Sequence, residues 1–165
     1  MTTYKGIKGF KVQSFATDPV PSTVAWASGG NMGTGRRELG AANQAPGHSA
    51  GLVFGGYKSP AGPSNATEEY DGSSWTAGGN LATPRFMLGG GGTQTAGIAF
   101  GGNTNPPPGG TNATEEYGGT SWTSGGNLGT ARYLLSGAGS QDAAIAIGGN
   151  DGSETAACEL YNGSS

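Results

Sequence analysis

The groups in this chain that could do chemistry are few, and most of them come in threes. Arg36, Arg85 and Arg132 are each followed by an acid of matching position, Glu68, Glu115 and Glu159. The paired acids Glu68/Glu69 and Glu115/Glu116 invite a glycosidase reading, but neighbouring strand residues point to opposite faces and cannot flank one scissile bond. An Arg–Glu pair inside each repeat is the simpler account, and a ring of arginines binding an anionic ligand is its sharper alternative. His48 is the only histidine, which cannot supply the ligand set of a copper oxidase, and it reads as an exposed turn residue. Cys158, the only cysteine, stands where Thr67 and Thr114 stand and reads as a small buried residue, not a nucleophile. Asn150 to Glu154 is rich in oxygen ligands yet lacks calcium-loop spacing. Asn65-Ala-Thr, Asn112-Ala-Thr and Asn162-Gly-Ser match glycosylation acceptors but recur with the repeat, as turn residues do. The inventory predicts no catalytic residues, no metal and no cofactor.

The elements that position these groups form a repeat of about 47 residues. Trp26, Trp75 and Trp122 each precede Gly-Gly-Asn and then an arginine ten residues on. Leu39, Leu88 and Leu135 follow the arginines, then a small-residue stretch, then apolar runs that close on Gly55-Gly56, Gly101-Gly102 and Gly148-Gly149. Acidic segments ending in Tyr70, Tyr117 and Tyr161 come next. Period-two alternation, as in Ile98 and Phe100 against Ala99, marks strands, and no long window has helical periodicity. Each unit is predicted to hold four short strands: Arg-to-Leu, the run before Gly-Gly, the Glu-Tyr segment, and Ser-Trp-Thr.

Arginine, an apolar strand closed by Gly-Gly, Glu-x-Tyr and then Trp, in that order over residues 23–165, resembles the kelch repeat. The resemblance implies an all-β chain of kelch-type β-propeller blades, with Tyr and Trp on the third and fourth strands and blades ringing a channel. The Tyr-to-Trp gap is shorter than the usual kelch spacing, and the turns are unusually rich in Gly, Ser, Asn and Thr. That style, with the opening Tyr4 to Gln13, is similar to kelch-like structural proteins of marine tailed bacteriophages.

Residues 1–22 are read as an anchoring arm and 23–165 as three blades, about 36–75, 85–122 and 132–165. The last lacks a Trp strand while Trp26 is spare at the other end. Closure is therefore expected from a partner chain or from additional sequence, a homodimer in which each Trp26 strand completes the other chain's third blade being one form of it. Net charge is −3, and Lys5, Lys8 and Lys11 put three of eight basic residues in the arm, which argues against nucleic-acid binding by the acidic body. Apolar runs are too short to cross a bilayer. The function implied by the resemblance is a non-enzymatic virion structural protein on tail or capsid, contacting other virion proteins through its arm and a host glycan or protein through its loops. A cytoplasmic or extracellular kelch module binding carbohydrate or protein is the alternative, and a kelch-fold enzyme acting on sialic acid or similar sugars has no residue constellation behind it. Loops that differ between repeats carry the candidate binding residues Tyr57, Lys58, Asn103, Asn105 and His48.

Overall fold

The computed structural model describes residues 28–45, 47–105 and 109–163. The arm, the Val24-Ala25-Trp26 strand and the Pro106-Pro107-Pro108 run lie outside the described residues.

The described chain is all-β, and its larger sheets are three successive blades. Blade 1 joins β1 (Gly40–Ala42), β2 (Gly51–Phe54), β5 (Thr67–Tyr70) and β6 (Trp75–Ala77) in that order, with a small hairpin of β3 (Tyr57–Lys58) and β4 (Gly62–Pro63) inserted after β2. Blade 2 joins β7 (Gly89–Gly92), β8 (Gly97–Phe100), β9 (Thr114–Tyr117) and β10 (Trp122–Ser124). Blade 3 has β11 (Ser136–Gly139), β12 (Ala144–Ile147) and β13 (Cys158–Leu160). All neighbours pair antiparallel, so each strand returns beside the one before it.

The first strand of each blade is not the Arg-to-Leu segment that the pattern suggested. It is the small-residue stretch that follows. The Arg-to-Leu segment instead turns through the left-handed region at Glu38, Met87 and Leu134, with φ of 57°, 54° and 57°. That conformation is costly for a residue with a Cβ, and here it serves a backbone chain that runs from blade to blade. Met87 N donates to Glu38 O at 2.8 Å, and Leu134 N donates to Met87 O at 2.9 Å.

Glycine composition follows from how closely the blades approach. The first strands β1, β7 and β11 pack side by side. A Cβ on Gly91 would stand 2.7 Å from Gly139 O, and one on Gly137 would run into Gly90 O. Side chains are excluded there, so the core moves outward into the two junctions between blades. Phe54, Leu52, Leu81, Leu88 and Tyr117 fill the first junction, with Trp122 packed against them. Phe100, Ile98, Leu135, Ala144 and Ala146 fill the second. Phe54 meets Trp122 edge-on at 4.9 Å between ring centroids.

Candidate binding groove on the loop face

The repeat's charged groups are consumed inside the blades. Arg85 Nη1 donates to Gly101 O at 3.2 Å and to Ala113 O at 2.7 Å, while its Nη2 meets Glu115 Oε1 at 2.8 Å. Arg36 does the same with Gly55 O, Ala66 O and Glu68. Arg132 pairs with Glu159 at 3.0 Å. The arginine side chains are 0%, 0% and 1% exposed, which removes the reading of a ligand-facing arginine ring. Burial pushes the Arg85 guanidinium below its ordinary pKa and Glu115 pulls it back up.

Each of these acids also has a second task. Glu68 Oε2, Glu115 Oε2 and Glu159 Oε2 accept from Gly33 N, Ala82 N and Gly129 N, pinning the linker that enters the blade. The adjacent acids point the other way: Glu69 accepts the Tyr117 hydroxyl of blade 2, and Glu116 accepts the Tyr161 hydroxyl of blade 3. Burial and the Glu69 carboxylate push the Tyr117 hydroxyl up to about 12. Trp122 Nε1 donates to Thr67 Oγ1 at 2.9 Å, again from blade 2 to blade 1. Asn65 and Asn112 donate their amides to Leu81 O and Leu128 O, as turn residues.

What remains free lies around the Gly-Gly corners. Gly55-Gly56, Gly101-Gly102 and Gly148-Gly149 all have positive φ, which turns the chain back after the second strand. The next residue then forms a bridge with the residue after the arginine: Tyr57 with Arg37, Asn103 with Phe86, Asn150 with Tyr133. Three pairs of varied chemistry are thereby set out in a row. The Tyr57 and Phe86 rings meet at 5.1 Å, and the Arg37 guanidinium sits 4.6 Å above Tyr57.

Between blades 2 and 3 this row opens into a groove of about 430 Å³ lined by Asn103, Gly110, Ala131, Tyr133, Asn150 and Asp151. Asn103 Oδ1 and Asn150 Oδ1 accept from Asn105 N and Gly152 N, which fixes both amides. An aromatic ring beside two fixed amides and a carboxylate suits a polar, ring-shaped ligand held by stacking and hydrogen bonds. Among the described residues no group of three His, Cys, Asp or Glu could hold a metal ion.

Of the loop residues singled out from the sequence, Asn103 lines the groove and Tyr57 belongs to the same row. Lys58 and Asn105 are exposed beside them. His48 lies elsewhere, on the open face of blade 1 with Tyr70 and Trp75. Tyr133, Phe86 and Arg37 were missed, and Asn150 and Asp151 had been weighed only against calcium-loop spacing. Their signal was present: they hold fixed repeat positions while changing residue type. Cys158 is exposed, not buried, because the junction that covers Thr67 and Thr114 is not formed beyond blade 3 in the described chain.

No protein-family model matches the chain, and no curated protein matches it. Among solved structures it is similar to one titled "Structure of YjhT", with a TM-score of 0.68 and 15% identity. The blades are kelch-type propeller blades. The match covers 81% of this chain and 44% of that one, so the chain spans less than half of the matched structure. Among the described residues no helix is long and apolar enough to cross a membrane.

Proposed function

We propose that this protein is a non-enzymatic recognition module whose propeller blades present the Tyr133–Asn150–Asn103 groove to a polyhydroxylated ligand, in the setting of a tailed-phage virion. The observation that carries the recognition reading is the division of labour among repeat positions. Arg, Glu, Tyr and Trp, which hardly vary between repeats, are tied to carbonyls, amides and one another, whereas the positions beside the Gly-Gly corners vary and line the groove. The virion setting rests on the sequence style and the Lys-rich arm, and supplies a reason for a host-surface glycan as ligand.

Two measurements test the two halves separately. On a glycan array the full chain should bind a defined set of sugars, and Tyr133→Ala or Asn150→Ala should abolish that binding while leaving the circular dichroism spectrum unchanged. Retained binding in both variants would remove the groove from the proposal. Antibody against the chain should label purified phage particles, and deleting residues 1–22 should abolish incorporation. A protein found only free in the host cell would leave a cellular kelch module instead.

A further inference from the structure

Blade 3 ends on a sheet face that blades 1 and 2 bury. In blade 1 that face carries Leu52 opposite Glu69 and Phe54 opposite Thr67. In blade 2 it carries Ile98 opposite Glu116 and Phe100 opposite Thr114. The register of blade 3 puts Ile145 opposite Leu160 and Ile147 opposite Cys158. Both polar positions have been replaced, the carboxylate by leucine and the hydroxyl by a thiol. A repeat whose outer face meets water is expected to gain polar groups there. This one loses them, and Ile147 and Leu160 stand 45% and 81% exposed.

The other open face, on blade 1, departs from the pattern in the complementary sense. It presents Ala41 and Val53 in register where blade 2 presents Gly90 and Ala99 and blade 3 presents Gly137 and Ala146. At the internal junctions glycine is required, because Phe54 Cζ and Phe100 Cζ would each lie 2.6 Å from a Cβ on Gly90 and Gly137. Phe against Gly is the internal fit; Ile147 against Ala41 exchanges a ring for a shorter chain on one side and adds a methyl on the other. Beside Ala41 lies a hollow of about 190 Å³, walled by Gly51, Val53, Tyr70 and Trp75, on the side where the internal fit would bring Ile145 and Ile147. Trp75 Nε1 already donates to Gly30 O at 3.0 Å, so it needs no threonine hydroxyl, and Cys158 offers none.

The blade-to-blade backbone chain has the same two loose ends. Glu38 O and Met87 O accept from the next blade, while Leu134 O has no backbone donor and Glu38 N no backbone acceptor among the described residues.

We propose that the Ile145–Ile147–Cys158–Leu160 face of one chain docks on the Ala41–Val53–Tyr70–Trp75 face of a second copy, and reciprocally, so that two chains close one six-bladed ring. Six blades fall within the range that propellers adopt. The contact is head-to-tail, and it closes after two copies because two sets of three blades complete a six-bladed ring and leave neither end free.

Light scattering on the 165-residue chain should give twice the chain mass. Leu160→Arg and Ala41→Arg should each halve that mass; both positions are exposed in the single chain, and unchanged circular dichroism spectra verify that the blades still form. An equimolar mixture of the two variants should regain the two-chain mass, because one of its two junctions again has Leu160 on one face and Ala41 on the other. A wild-type chain that stays at single-chain mass overturns the proposal and leaves further blades of a longer polypeptide as the occupant. A two-chain mass indifferent to both substitutions, a mixture that does not recover, or a mass that climbs beyond two chains also overturns it.

Discussion

Blades 2 and 3 run the same pattern and give the same ion pair two different environments. Arg85 and Arg132 are equally buried, at 0% and 1% side-chain exposure, yet Glu115 is 6% exposed and Glu159 is 32% exposed. The difference is the fourth strand. Glu115 lies opposite Ser124 of β10, whereas β13 is the last strand of its sheet among the described residues. A strand of three residues decides whether water reaches the carboxylate. The comparison teaches that the repeat specifies partners, while neighbours specify how much each partnership is worth.

Removing the arginine should expose that difference most strongly. Arg85→Ala leaves Glu115 buried without its counter-ion and is expected to cost about 3–5 kcal/mol. Arg132→Ala should cost clearly less, since water can solvate Glu159. Urea unfolding of both variants measures the gap, and equal losses would break the comparison.

Gly137→Ala tests the close approach between first strands. Its new Cβ would meet Gly90 backbone and Phe100 Cζ, and a loss of about 1–3 kcal/mol is expected from overpacking. At the register-equivalent place in blade 1, Ala41→Gly should cost only about 0.5–1 kcal/mol, through backbone entropy. If Gly137→Ala melts like wild type, the first strands are not held as tightly as described.

Tyr117→Phe removes a hydroxyl that joins blade 2 to Glu69, and about 1 kcal/mol should go with it. It also carries a pH signature. The folded hydroxyl titrates near 12, above its ordinary 10.0, so its contribution is present in full below pH 10 and is lost as pH rises through 12. Wild-type stability should therefore fall across that window more steeply than that of Tyr117→Phe. Parallel curves would count against the assignment. The Tyr161 hydroxyl is raised as well, by burial and by Glu116, so its contribution is likewise lost only on the alkaline side of its ordinary value, and Tyr161→Phe should remove that loss.

The smallest effect is expected one residue from the largest class. Arg37 is 61% exposed on its side chain, lies beside Glu38 at 3.3 Å and covers the Tyr57 ring. Arg37→Ala should cost less than about 1 kcal/mol, the range of exposed ion pairs and cation–π contacts, whereas Arg36→Ala should resemble Arg85→Ala. Comparable melting of the two would erase the distinction between an internal arginine and a surface one.

Much of the fold was legible because the repeat states it three times. Gly-Gly marked the ends of the second strands, alternation at Ile98-Ala99-Phe100 marked their faces, and the matched positions of Arg36, Arg85 and Arg132 with their acids pointed to the pairs. The first strand was misplaced because Gly89-Gly90-Gly91-Gly92 has no side chains to alternate, and it is a strand through its ladder with β8, in a space too narrow for side chains. The exposure of Cys158 was not legible either, since identity of position with Thr67 predicts burial only where a next blade stands. The groove escaped for a third reason: the bridge between Tyr133 and Asn150 joins positions whose residue types change from repeat to repeat, so no recurring chemistry marked them as partners.

By itself the sequence determined the period, the β class and the pairing of each arginine with its acid, because spacing and side-chain chemistry repeat and need no distant information. The tertiary structure decided which of those repeated groups are buried, which face water and which converge on the groove. Burial and convergence depend on what packs alongside, and that is set by the stacking of blades and not by any one of them.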